Sequence, residues 1–155
     1  MPQADTRLRI LFLCTGNSCR SQMAEGWARH LKRNEIDAYS AGIEPHGLNA
    51  LAVAVMAEAG VDISRQRSKH LEDLENVAFD WVVTVCDNAR ERCPVFGRST
   101  RSFHIGFDDP PRLAANAKSD EEALTHYRRV RDEIRTFVET LPAALERVEL
   151  GESRK

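Results

Sequence analysis

The sequence lacks a long hydrophobic run, a surplus of charge of one sign, and any repeat, linker or low-complexity tract. Each absence removes a class of function. The longest apolar stretch near the N-terminus, Ile10 to Leu13, falls far short of the roughly 20 residues that span a bilayer. No small-residue cleavage site follows it, so neither a membrane span nor a secretory leader is expected. With 22 basic and 24 acidic residues interspersed and a formal net charge of -2, no global field favours nucleic acid or an anionic membrane as partner. Anion binding has to be local. At 155 residues and 42% hydrophobic content, the chain suits one domain over 1–155 with one core, expected to be a cytoplasmic monomer. Residues 151–155 are polar enough to fray.

What is present is thiol. The four cysteines, in a reducing cytosol, are more often reactive or metal-binding than disulfide-forming. Four residues separate Cys14 from Cys19, and six separate Cys86 from Cys93. Structural zinc sites pair cysteines across about two to four residues, so a zinc module and a set of reactive thiols both remain open on spacing alone.

The apolar run ending at Leu13 and the β-branched, aromatic run from Phe79 to Val85 read as buried strands, and each delivers a cysteine at its carboxyl end. Ile36 to Ala41 and Ser102 to Gly106 read as two further strands. Helical spacing appears over Ser21 to Arg33 and Ala50 to Ala59, both expected to be amphipathic. The surest helix follows Ser119 and Glu122, a capping-box pair, with Tyr127, Val130, Ile134, Phe137, Val138 and Leu141 as its apolar stripe; Pro142 should kink or end it. Strands alternating with helices imply a parallel sheet covered on both faces, with ligands beyond the carboxyl ends of its strands.

That is where Cys14-Thr15-Gly16-Asn17-Ser18-Cys19-Arg20-Ser21 lies, between a strand and a helix. Gly16 opens backbone conformations closed to other residues, and Asn17 tolerates the left-handed region, so successive amide N–H groups can turn inward around an anion. The following helix adds the positive end of its dipole, and Arg20 adds a planar fork for two oxygens of a tetrahedral anion. The same field is expected to lower the pKa of Cys14 and make it a nucleophilic thiolate. Ser21 is expected to donate to its sulfur, whereas Cys19 reads as a packed residue within the loop.

The loop resembles the signature of the low-molecular-weight tyrosine phosphatases, and the longer string through Gln22-Met23-Ala24-Glu25-Gly26-Trp27 is similar to their relatives, the thioredoxin-coupled arsenate reductases. The similarity continues through Tyr39-Ser-Ala-Gly-Ile43, Val82-Val-Thr-Val-Cys86, Gly106-Phe-Asp-Asp-Pro110 and Arg129-Val-Arg-Asp-Glu-Ile134. It implies a three-layer α/β/α fold with a four-stranded parallel sheet in the order 2-1-3-4. It also implies arsenate as substrate, thioredoxin as reductant, and no resident metal or organic cofactor. By that resemblance Cys14 attacks arsenate, Cys86 attacks the sulfur adduct to release arsenite, and Cys93 attacks Cys86 to leave a Cys86–Cys93 disulfide. Asp109, directly before Pro110, is the implied general acid, with Asp108 as its support; protonation is needed because oxide leaves poorly.

A phosphatase shares the loop and the acid but needs neither Cys86 nor Cys93. It would also want aromatic residues after Asp109-Pro110, which this sequence does not have. Phosphate-ester hydrolysis is still expected as a side reaction, since phosphate and arsenate share shape and charge. If residues 86–93 were regular helix, the two α-carbons would lie about 10.5 Å apart, whereas a disulfide needs less than about 7 Å. Asp87-Asn88 as a helix start and Pro94 as a stop suggest a short, marginal helix that melts on oxidation. Where some arsenate reductases hold potassium, the matching positions are Asn17, Glu25, Ser40 and Lys69, and the cationic Lys69 predicts that no potassium binds. His46 and His104 fall where they could lie near the site, with a satisfied or solvated imidazole as the default reading of each.

Overall fold

The computed structural model describes residues 6–97 and 99–149, so the tail at 151–155 lies outside the described residues. Strands β1 (Leu8–Cys14), β2 (Ile36–Gly42), β3 (Trp81–Thr84) and β4 (Arg101–His104) form one parallel sheet in the order β2-β1-β3-β4. This is the expected order. Ile10, Leu11, Phe12 and Leu13 are all fully buried; because alternate side chains point to opposite faces, the sheet must be covered on both. The continuous apolar run is the sequence trace of that double cover.

Among the described residues the helices are α1 (Arg20–Leu31), α2 (Ala50–Glu58), α3 (Asp87–Arg92), α4 (Pro110–Ala114), α5 (Asp120–Glu139) and α6 (Ala143–Glu149), with a 3-10 turn at Leu71–Leu74. The long helix behaves as its pattern predicts. Ser119 Oγ accepts from Glu122 N–H (3.1 Å), Tyr127, Val130, Ile134, Phe137 and Val138 are buried, and the helix ends three residues before Pro142. The glutamate of the capping pair turns to Lys118 N–H (3.0 Å) rather than to the cap residue.

Two helices depart from the amphipathic expectation. Every residue of α1 from Ser21 to Ala28 is buried, polar ones included, because its first turns lie between the sheet, α5 and the loop before it. In α2 the sequence is apolar all round, and Ala52, Val55 and Met56 supply the buried contacts while Leu51 is only partly covered. Asn49 caps it, its side chain accepting from Leu51 and Ala52 N–H. No helix of the described residues is long and apolar enough to cross a membrane.

Candidate active site

The register pairs Leu13 of β1 with Thr84 of β3, so Cys14 and Cys86, each just beyond that pair, emerge side by side at one end of the sheet. Parallel pairing requires this outcome once both cysteines end their strands. They line a cavity of ≈ 890 Å³ together with Arg20, His46, Asn88 and Asp109.

The loop between Cys14 and Arg20 has its carbonyls turned outward and tied down. Ile43, Glu44, His46 and Asn49 N–H groups donate to the carbonyls of Cys14 (3.3 Å), Thr15 (2.8 Å), Gly16 (2.8 Å) and Ser18 (2.9 Å). The Asn17 carbonyl accepts from Gln22 Nε2 at 3.0 Å. With the carbonyls engaged outside, the amide N–H groups are left to face the cavity as an anion nest, and that of Thr15 acts to lower the Cys14 pKa. Asn17 is fully buried at φ 46, the left-handed region that asparagine tolerates better than most residues. Its side chain compensates by donating to Ser21 Oγ (2.9 Å) and accepting from Lys69 N–H (2.9 Å) and Gln22 Nε2 (3.0 Å). A Cβ at Gly42 would lie 2.7 Å from Thr15 O and 2.9 Å from Asn17 N, so the loop closes onto β2 only because that residue has none.

Arg20 Nη1 donates to Phe107 O (2.9 Å), and its Nη2 lies 3.6 Å from Asp109 Oδ1. The guanidinium is 13% exposed, already dehydrated and aimed into the cavity beside the acid. Asp109 is the N-cap residue of α4, and Asp108 receives Arg129 Nη2 at 3.0 Å. Cys14, Arg20, Asp109 and Cys86 are therefore brought together as the sequence suggested. Ser21 differs: it accepts from Asn17, and no hydrogen bond to Cys14 is among those described. Cys19 is packed as expected, 4% exposed and pushed up to about 12, chiefly by burial.

The thiol pair corrects a larger expectation. Cys14 and Cys86 interact directly, and the charge of the pair rests on Cys86. Cys86 is lowered to about 5, first by the hydrogen bond from Cys14 and, against the opposing effect of burial, by the Thr15 hydroxyl, Ala89 N–H and Arg20. Cys14 is raised, first by that same bond and then by burial, with Arg20 and Thr15 N–H only partly offsetting. The loop's field reaches both sulfurs: Arg20 lowers Cys14 and Cys86 alike, and the hydrogen bond between them raises one as it lowers the other. Thr15 Oγ1 lies 3.3 Å from Cys86 Sγ and accepts from Asn88 Nδ2 (2.8 Å), which directs its own proton at the sulfur.

Cys86 is also the N-cap of α3, its sulfur accepting from Ala89 N–H at 3.4 Å. The helix starts at Asp87, as Asp87-Asn88 suggested, and its cap is the side chain of the second thiol. Cys93 follows the last turn, half-buried, its thiol donating to Pro94 O (3.5 Å) and pushed up by burial. Because 87–92 is regular helix, Cys86 and Cys93 stand at about the 10.5 Å that helical rise sets.

Further side chains buttress the site. Thr84 Oγ1 bonds His104 Nδ1 (2.8 Å), whose Nε2 bonds Asp87 Oδ1 (3.0 Å) in the first turn of α3. His46 packs so closely on Gly16 that a Cβ there would meet its Nδ1 at 2.7 Å. Lys69 Nζ lies 3.8 Å from the buried Glu25, which also receives Ser40 (2.6 Å) and Arg29 (3.0 Å). Among the described residues no three His, Cys, Asp or Glu side chains gather in a way that could hold a metal ion.

Fold and site define a class of protein: a parallel α/β domain whose first strand feeds a cysteine into an oxyanion loop closed by an arginine at a helix start. The chain belongs to the low molecular weight phosphotyrosine protein phosphatase family, whose model matches residues 9–150, and within it to the arsenate reductases. It is 50% identical over 136 residues to the arsenate reductase of Bacillus subtilis (strain 168), covering 84% of this chain and 95% of that protein. Among solved structures, an arsenate reductase in the intermediate state superposes with a TM-score of 0.70 at 31% identity, covering 89% of this chain and 98% of that one. A low molecular weight protein tyrosine phosphatase from T. tengcongensis gives 0.66 at 25% identity, covering 86% and 97%.

Proposed function

We propose that this chain reduces arsenate to arsenite through a relay of Cys14, Cys86 and Cys93, with thioredoxin returning the electrons. The observation that carries the reading is that strand register brings Cys86, a thiol that ester hydrolysis has no use for, into the same cavity as Cys14. Half-identity to a protein named arsenate reductase supports it.

Arsenate sits in the loop against its amides and the Arg20 fork. Cys14 passes its proton to Cys86 across their shared hydrogen bond and attacks arsenic, while Asp109 protonates the departing oxygen. Cys86 releases the proton it received to solvent and, as thiolate, attacks Cys14 Sγ; the electron pair of the sulfur–arsenic bond leaves with arsenite, reduced by two electrons, and a Cys14–Cys86 disulfide remains. Cys93 thiolate attacks Cys86 Sγ and expels Cys14 thiolate, leaving a Cys86–Cys93 disulfide. That last step requires α3 to unwind, because a disulfide spans less than about 7 Å. A reduced thioredoxin dithiol restores the thiols and becomes a disulfide itself.

The whole chain, residues 1–155, acts on this reading as one cytoplasmic domain and a monomer; a single sheet and a family match over 9–150 support the first of these points. The test is arsenate-dependent thioredoxin oxidation by the wild type and by Cys93→Ser. Turnover in the wild type, and a variant that stops after a single turnover with a Cys14–Cys86 disulfide, is the expected result. Ester hydrolysis without arsenate-dependent thiol loss would replace this reading with a phosphatase.

A further inference from the structure

We infer that Glu44 and Arg92 form a gate on the third thiol: their ion pair holds the C-terminal end of α3 closed, and its opening sets the rate at which Cys93 reaches Cys86. This rests on the relay reading above.

The two ends of α3 are fastened differently. Cys86 follows β3 directly, and Val85 N–H donates to Leu13 O (3.0 Å), so the attacked sulfur is fixed to the sheet. Around it, Asp87 is held by His104, Asn88 by Thr15, and Ala89 N–H by the sulfur. The approach from about 10.5 Å to less than about 7 Å therefore falls to the Cys93 end. There the side-chain tie that α3 makes is Arg92 Nη1 to Glu44 Oε1, 2.8 Å.

Its two partners differ in mobility. Glu44 belongs to the strap over residues 43–49 that ties down the oxyanion-loop carbonyls, and its own N–H donates to Thr15 O at 2.8 Å. Arg92 is the last residue of a six-residue helix, too short to persist without outside support. The pair thus joins the element that grips the oxyanion to the element that has to leave. Glu72 and Glu75 line the same groove as Arg92, so the arginine has other anionic groups within that groove once it lets go of Glu44. Glu44 and Arg92 touch neither substrate nor sulfur; they are positioning residues.

The test isolates ring closure from arsenate chemistry. In a Cys14→Ser, Cys19→Ser background, the chromogenic disulfide dithiobis(nitrobenzoate) converts Cys86 to a mixed disulfide and releases a first nitrothiobenzoate. Cys93 thiolate then attacks Cys86 Sγ, forming the Cys86–Cys93 bond and expelling a second. Stopped-flow absorbance separates the two phases. Glu44→Gln and Arg92→Gln should each leave the first phase unchanged and accelerate the second by about two- to fivefold, the range of an exposed ion pair. The double variant should be no faster than either single one, and the reversed pair Glu44→Arg with Arg92→Glu should return toward the parent rate. Added salt should speed closure in the parent but not in the single variants, a response that loss of helix structure alone does not produce. A second phase equally fast in parent and variants overturns the gate and leaves the relay standing. A parent that never releases the second nitrothiobenzoate overturns the relay, and the gate with it.

Discussion

The oxyanion loop and the segment 87–93 sit a few ångströms apart and are built on opposite principles. In the loop, the carbonyls of Cys14 to Ser18 are all bonded from outside, and the one left-handed residue, Asn17, is fully buried with its side chain saturated. In α3 a few side-chain contacts hold six residues whose N-cap is itself a reacting sulfur. A group that must stabilise a developing charge gains from being immobile before the reaction, whereas a thiol that must travel gains from weak restraint. One site therefore contains a part that must not move and a part that must.

The sharpest way to break that contrast is to remove a thiol from each part. Cys14→Ser should abolish arsenate reduction and ester hydrolysis together, by roughly 10⁴-fold or more, as when a nucleophile acting as part of a unit is lost. Cys93→Ser should abolish only repeated turnover, leaving the first arsenite release at its normal rate in a rapid-quench experiment. If ester hydrolysis fell with Cys93 as it does with Cys14, the two parts would not be functionally separate. Asp109→Asn, which keeps the shape of the acid, should slow the first step by about 10²- to 10³-fold in single-turnover arsenite release.

Rigidity of the loop has its own test in Gly42→Ala. The added methyl would meet backbone atoms, Thr15 O at 2.7 Å and Asn17 N at 2.9 Å, and backbone cannot rotate away as a side chain can. A loss of about 1–3 kcal/mol in urea unfolding is expected from such overpacking, with arsenate affinity falling as well. Gly97→Ala, with nothing within 4 Å, is the control.

Thiol titration probes the other part. Cys86 at about 5 is thiolate at neutral pH, while Cys93, raised above the ordinary 9.0, is protonated there. Near pH 6 the thiolate fractions favour Cys86 by at least about 10³, which its lower intrinsic nucleophilicity reduces to roughly tenfold or more in alkylation rate. As pH rises toward 9 the Cys86 rate is already saturated and the Cys93 rate keeps climbing, so the order should reverse. Mass mapping of iodoacetamide adducts at the two pH values checks both signs.

The same division explains what was legible in the sequence. Strands, order and the loop could be read because each is local: an apolar run, a Gly-Asn turn, an arginine at a helix start. The charge of the Cys14–Cys86 pair could not, because it depends on two cysteines 72 positions apart meeting across β1 and β3. His104 holding Asp87 and Glu44 holding Arg92 are likewise products of strand register and loop path. α1 departs from an amphipathic pattern because its polar residues are buried against tertiary partners, Ser21 and Gln22 meeting Asn17 of the loop and Glu25 meeting Ser40 of β2. Local pattern specified the parts that stay still, and the restraints on the part that moves came from tertiary meeting points.

The smallest expected effect is none at all, and it concerns what stiffens the loop. Glu25 is 2% exposed and faces Arg29, Ser40 and the Lys69 ammonium at 3.8 Å, while Lys69 N–H bonds the buried Asn17 side chain. A carboxylate so placed needs cationic or hydrogen-bonding partners to offset its desolvation, and here the chain supplies them covalently. Burial lowers the Lys69 pKa, opposed by Glu25, yet the ammonium also donates to Arg67 O at 2.9 Å and so remains anchored beside the carboxylate. Potassium in place of sodium at equal ionic strength should change neither melting temperature nor turnover. A potassium-specific rise in either would mean that the loop borrows its rigidity from a bound ion, and the contrast with α3 would then depend on the salt rather than on the fold.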